Sequence, residues 1–152
     1  MISVSSKEGS KEYSYVMDIF PQESRDETRI WEFFENLKLG KLTTTKCKKC
    51  GHIFWPPEVI CPKCLSDELE YVEMPKKGRI YAFTVQIGAL PPPFKPPLIH
   101  ALIDFENGIR VSGSLVDADP EKLNVGDEVE LRIMSIPPDS HGDRVLFYFK
   151  KT

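Results

Sequence analysis

The sequence predicts a mainly β protein with an N-terminal helix, in which a small metal-holding ribbon precedes a five-stranded barrel. Three observations carry this. Cys47-Lys48-Lys49-Cys50 and Cys61-Pro62-Lys63-Cys64 are two C-x-x-C pairs separated by ten residues, the spacing of a four-sulfur metal site. Downstream, the hydrophobic period changes from about 3.6 to about 2 over five segments. Upstream, Ile30, Phe33, Phe34 and Leu37 recur at helical spacing, with Trp31 widening the stripe. The chain has 152 residues, 41% hydrophobic and 28% charged, with a net charge of -3. That is a folded chain of one ordinary domain or two very small ones.

In chain order, residues 1–12 hold too little apolar surface to order themselves and are expected to form a mobile tail. Tyr13, Val16, Met17, Ile19 and Phe20 make an apolar patch that ends at Pro21, as a helical turn or a strap on the body. Ser24-Arg25-Asp26-Glu27 fits a capping box, the Ser24 hydroxyl and Glu27 carboxylate satisfying the free amides of a starting helix. Gly40 is its natural stop. After the cysteines, Arg79–Ile87, Leu98–Phe105, Ile109–Val116, Glu128–Ile136 and Arg144–Lys150 alternate or are β-branched and aromatic, and read as strands. Glu106-Asn107-Gly108 reads as a tight hairpin, because Asn and Gly tolerate positive φ. His141-Gly142-Asp143 marks a second turn, and the segment from Asp119-Pro120 to Asp127 a short helical turn before strand four. The pattern suits a five-stranded Greek-key OB barrel, and other small barrels as well.

Each cysteine pair can wrap a knuckle whose thiolates point at one ion, and the intervening hairpin brings the knuckles together in a tetrahedral shell. Zinc or iron suits four sulfurs. A redox C-x-x-C needs one pair only, and two disulfides are disfavoured in a reducing compartment. With four thiolates bound, the ion has no open position for water, so it is expected to hold structure and not to do chemistry. Loss of any one of Cys47, Cys50, Cys61 or Cys64 is expected to loosen residues 44–66 and leave the barrel folded.

Charge is segregated: residues 1–37 sum to -4, 38–66 to +5, 67–87 to -1 and 88–152 to -3. The cationic segment suits a phosphate-bearing ligand or an acidic partner, or is a solvated lysine face around the metal. The opening residues lack the apolar core of a signal peptide, and no apolar run approaches the roughly 20 residues of a membrane span. A cytoplasmic protein without membrane insertion is expected. His52, His100 and His141 are scattered, with His100 read as a barrel-wall residue. No Gly-x-Ser-x-Gly elbow or phosphate-cradling loop appears, so no catalytic residue is assigned. Leu98–Asp119 carries Arg110 as its single Lys or Arg against four acids, which opposes nucleic acid on the barrel.

The ordered set Trp31-Glu32-Phe33-Phe34, Gly40-Lys41-Leu42, Cys47-x-x-Cys50-Gly51, Phe54-Trp55-Pro56-Pro57, Cys61-Pro62-x-Cys64, Gly78-Arg79-Ile80-Tyr81-Ala82-Phe83-Thr84 and Val125-Gly126-Asp127 resembles the acyl-CoA-associated OB-fold family with a rubredoxin-like zinc ribbon, long catalogued as domain of unknown function thirty-five. The resemblance covers about residues 28–150. It implies an N-terminal tail and helical segment over 1–40, a rubredoxin-like zinc ribbon over 41–72 and an OB-fold barrel over 73–152. It implies a zinc ribbon, while the four sulfurs themselves also suit iron. Members of the family bind thiolase-like enzymes and help hold coenzyme A thioesters. An archaeal relative bridges an acetoacetyl-CoA thiolase and a hydroxymethylglutaryl-CoA synthase, and others accompany hydratase-like or thiolase-like proteins in sterol side-chain degradation. The chemistry then belongs to the partner. Two positions depart from the family: Glu58, where arginine is common, and Leu65, where glycine often follows the last cysteine.

The resemblance therefore implies a non-catalytic acyl-CoA-binding scaffold subunit, partnered with a thiolase-like or hydroxymethylglutaryl-CoA synthase-like enzyme in a thioester channel. Coenzyme A offers phosphates and a thin pantetheine arm, wanting lysines beside an apolar groove. Trp31 and Phe34, with Lys46, Lys48, Lys49 and Lys63, are the nearest such set and the candidate contacts to coenzyme A or the partner. The alternative readings are a nucleic-acid-binding zinc-ribbon and OB module, favoured by the +5 segment, and an independent acyl-CoA hydrolase or hydratase.

Overall fold

The computed structural model describes residues 2–4, 13–15, 20–90, 94–139 and 141–152. Two short strands, β1 (Ile2–Val4) and β2 (Tyr13–Tyr15), pair antiparallel. The expected mobile tail falls partly on residues 5–12, which lie outside the described residues, as do Val16, Met17 and Ile19. Phe20 packs on the body: its ring lies 6.5 Å from that of Phe94 and beneath the Arg144 guanidinium at 5.6 Å.

The helix starts later than its capping box predicts. Ser24 and Glu27 do bond reciprocally, the hydroxyl donating to the carboxylate at 2.8 Å and the Ser24 amide at 3.3 Å, yet they close a turn of their own. The helix α1 runs Trp31–Lys38 from Ile30, which offers no side-chain cap. Its C-terminus behaves as Gly40 predicts. The Gly40 amide donates to the Leu37 carbonyl at 2.9 Å and the Lys41 amide to Asn36 at 3.0 Å, a Schellman closure that Gly40 permits with φ +81°. Phe33, Phe34 and Leu37 form the buried face.

The ribbon is three-stranded. Its centre is β3 (Thr43–Cys47), flanked by β4 (Ile53–Phe54) and β5 (Leu69–Glu73). Thr43, Thr44 and Thr45 are buried, and their hydroxyls are used. Thr44 donates to the Phe54 carbonyl, Thr45 accepts the Glu58 amide at 3.2 Å, and Thr43 accepts from Asn36 at 3.4 Å.

The remaining strands are β6 (Lys77–Gln86), β7 (Leu98–Asp104), β8 (Arg110–Leu115), β9 (Glu128–Asp139) and β10 (Gly142–Lys151), with a 3-10 turn at Pro120–Lys122 capped by Asp119. They match the five predicted strands. They close in the order β10-β8-β7-β6-β9. Strand β10 runs parallel to β8 at Phe149 and Leu115, and every other barrel pairing is antiparallel. This is the OB-fold barrel. The predicted hairpin is present: the Gly108 amide donates to Phe105 and the Phe105 amide to Ile109, both at 3.0 Å, with Gly108 at φ +80°.

Inward residues of alternate positions fill the barrel, with Ile80, Ile99, Ile103, Val111, Val129 and Phe149 all buried. The same core continues into α1 and the ribbon through Phe33, Leu37, Leu42 and Met74. An aromatic series joins the three parts: Phe33 to Trp55 at 5.9 Å, Trp55 to Phe147 at 6.0 Å and Phe147 to Phe149 at 6.0 Å. Such edge-on aromatic contacts each add about 0.5–1.5 kcal/mol beyond burial. Glu23 fastens the segment before the helix, both its carboxylate oxygens accepting the buried Val145 amide at 3.0 Å. Burial holds its carboxyl above the ordinary range.

Candidate metal centre

Strand β3 delivers Cys47 at its last position, and the chain then folds back so that the Gly51 amide donates to the Cys47 carbonyl and the Cys47 amide to His52, both at 2.9 Å. The second knuckle repeats this. The Leu65 amide donates to the Cys61 carbonyl and the Cys61 amide to Ser66, both at 2.9 Å. The two knuckles face one another. Sγ of Cys47 lies 3.5 Å from that of Cys64, and Cys50 Sγ lies 3.6 Å from Cys61 Sγ. All four sulfurs fall within 4.8 Å of one another.

These separations fit a metal and not disulfides. A disulfide needs about 2.05 Å between sulfurs, whereas a tetrahedron with metal–sulfur bonds of about 2.3 Å has edges of about 3.8 Å. Electrostatics agree. The Cys50 amide, chief among several donors, pulls the Cys47 thiol down to about 7. The Ser66 amide favours a Cys64 thiolate, but burial and three neighbouring thiols outweigh it and push Cys64 up to about 12. Without a cation, four crowded sulfurs cannot all be anionic; a divalent ion removes that conflict. The four cysteines are thus arranged to bind a metal, with Cys47 and Cys61 fully buried.

Lys48, Lys49 and Lys63 are exposed on the knuckles and Lys46 is half-buried on β3. Their charge would offset the net negative charge of four thiolates around a divalent ion. The His52 ring stacks on Phe54 at 5.7 Å. Phe34 is 7% exposed, within the common core. Trp31 is half-buried at the edge of a cavity of about 600 Å³ also lined by Arg25, Arg29, Ile60 and Asp67. The Arg25 guanidinium lies 5.5 Å from the indole. None of the four candidate lysines lines this cavity. Of the two arginines, Arg25 lies in the turn that the capping box closes and Arg29 between that turn and the helix, and no sequence motif marks either as a site residue. Among the described residues, no helix is long and apolar enough to cross a membrane.

Comparison with known proteins follows the same division. Residues 34–70 match the domain described as ChsH2, rubredoxin-like zinc ribbon domain, and residues 71–134 match ChsH2, C-terminal OB-fold domain. A DUF35 domain-containing scaffold protein of Methanothermobacter thermautotrophicus is 35% identical over 112 residues, covering 72% of this chain and 84% of that protein. The benzoylsuccinyl-CoA thiolase subunit BbsA of Thauera aromatica is 32% identical over 108 residues, 70% of this chain and 73% of that subunit. Among solved structures, a chain of the Ltp2-ChsH2(DUF35) aldolase superposes with a TM-score of 0.68 at 28% identity, over 79% of this chain and 91% of that one.

Proposed function

The chain belongs to the family of DUF35 proteins that join a ChsH2-type rubredoxin-like zinc ribbon to an OB-fold barrel, and we propose that it is a non-catalytic subunit of an acyl-CoA-processing complex. It binds a thiolase-like or hydroxymethylglutaryl-CoA synthase-like enzyme and helps form the channel through which the coenzyme A thioester passes. The observation that carries this reading is the similarity, over most of both chains, to a protein named as a thiolase subunit. The similarity to a chain of the Ltp2-ChsH2(DUF35) aldolase supports it.

The ion at the four cysteines is zinc in this reading, with iron the other metal that four sulfurs accept. Four thiolates leave it no position for water or substrate, so it supplies folding energy to a ribbon too small for a core of its own. In this reading residues 1–40 are the N-terminal tail and helical segment, 41–72 the zinc ribbon and 73–152 the barrel, and the cations of the ribbon and Trp31 face the ligand or partner.

Native purification of the tagged chain from its own host, with mass spectrometry of what accompanies it, tests this. The expected result is a stoichiometric thiolase-like partner and acyl-CoA turnover by the complex alone. Turnover by the isolated chain, or neither partner nor acyl-CoA binding, overturns it.

A further inference from the structure

The outward face of β6, β7 and β8 carries a groove of about 390 Å³, and none of its lining residues belongs to the ribbon. That volume lies within the range of small-molecule sites. The cross-strand register arranges its floor in two rows. Thr84, His100 and Ser114 lie side by side, and next to them Ala82, Leu102 and Ser112. The alternate residues Ile99, Ala101, Ile103, Val111 and Leu115 point into the barrel, so the six face outward. Small side chains on the two outer strands leave the depression, with one polar row and one largely apolar row.

The imidazole of His100 is held in a defined orientation. The Gln86 side-chain amide donates to the carbonyls of Gly88 at 3.0 Å and Ala89 at 3.4 Å. Carbonyls only accept, so these bonds fix the amide nitrogen and turn the Gln86 oxygen toward His100 Nε2, 2.9 Å away. Nε2 therefore carries the hydrogen, and in the neutral ring Nδ1 is an acceptor. No lysine or arginine lines the groove, which disfavours phosphates and nucleic-acid backbones there.

We propose that this groove binds a thin, neutral chain bearing amide N–H donors, the chemistry of the pantetheine arm of a thioester carrier. His100 Nδ1 accepts an amide hydrogen, the Thr84, Ser112 and Ser114 hydroxyls serve the arm's carbonyls, and Leu102 and Ala82 pack on its apolar carbons. The proposal rests on the acyl-CoA role above and places the arm on the barrel, apart from the ribbon's lysines.

Two probes test it by NMR on the metal-loaded full-length chain: S-acetylpantetheine and acetyl-CoA. Both are expected to shift the backbone resonances of His100, Leu102, Ser112 and Ser114. Leu102→Arg, an exposed position, is expected to weaken S-acetylpantetheine by about tenfold or more with unchanged metal content, and His100→Phe to weaken it while keeping the ring's volume. Acetyl-CoA shifts confined to other residues, with Leu102→Arg binding as wild type, overturn the groove and leave the acyl-CoA reading standing. No shift with acetyl-CoA anywhere overturns this proposal, while the subunit role falls only if native purification also recovers no thiolase-like partner.

Discussion

Gly51 and Leu65 occupy the same place in the two cysteine knuckles. Each amide donates to the carbonyl of its knuckle's first cysteine at 2.9 Å, and each residue has a positive φ, +71° and +59°. The conformation is free for glycine, whereas an L side chain in it costs about 1–2 kcal/mol. Leu65 is 78% exposed, so little burial offsets that strain. Leu65→Gly is expected to stabilise the ribbon by up to about 1 kcal/mol, after the greater chain entropy of glycine is subtracted. The check is the rate of metal loss to a chelator, which should fall. A faster loss contradicts the strain argument.

Two glycines of the barrel are needed for space. A Cβ on Gly78 would stand 2.5 Å from Ile103 Cγ2 and 2.9 Å from the Asp104 carbonyl oxygen, and one on Gly113 would meet the Phe149 ring at 2.6 Å. Either substitution to alanine is expected to cost about 1–3 kcal/mol by overpacking. Gly78→Ala is the worse, because a strand carbonyl cannot rotate away as a ring can. Gly88→Ala is the control, with nothing within 4 Å. Denaturant midpoints measure all three. Equal midpoints for Gly78→Ala and Gly88→Ala would contradict the steric account.

Glu27 and His141, 114 positions apart, meet at 2.6 Å. The bond from His141, then that from the Ser24 hydroxyl, hold the Glu27 carboxyl at about 2, below its ordinary 4.5. A carboxyl whose pKa falls on folding contributes stability that is complete above the unfolded value and is lost as pH falls through the folded one. The gap in melting temperature between wild type and Glu27→Gln is therefore expected above pH about 4.5, shrinking to nothing near pH about 2. A gap that stays constant across that window contradicts the pairing.

The barrel strands were legible because period-two patterning over Leu98–Asp104 and Arg110–Leu115 is enforced by burial on one face. The cysteine cage was legible because ligand spacing is local. The helix start was not: the Ser24–Glu27 box satisfies every local rule, but its carboxylate also serves His141, whose approach only the closed barrel provides. Strand β5 went unread because Leu69, Tyr71 and Val72 are only half-buried among Glu68, Glu70 and Glu73. The groove around His100 has no motif at all. Its signal is smallness at Ala82, Ser112 and Ser114, which means something only once three strands lie side by side.

Native mass spectrometry of the full chain, purified without chelator, tests the central claim most directly. The account predicts one zinc ion per chain and four cysteines that resist alkylation until the metal is stripped. A metal-free chain whose Cys47, Cys50, Cys61 and Cys64 alkylate at once, or are joined as disulfides, would contradict it.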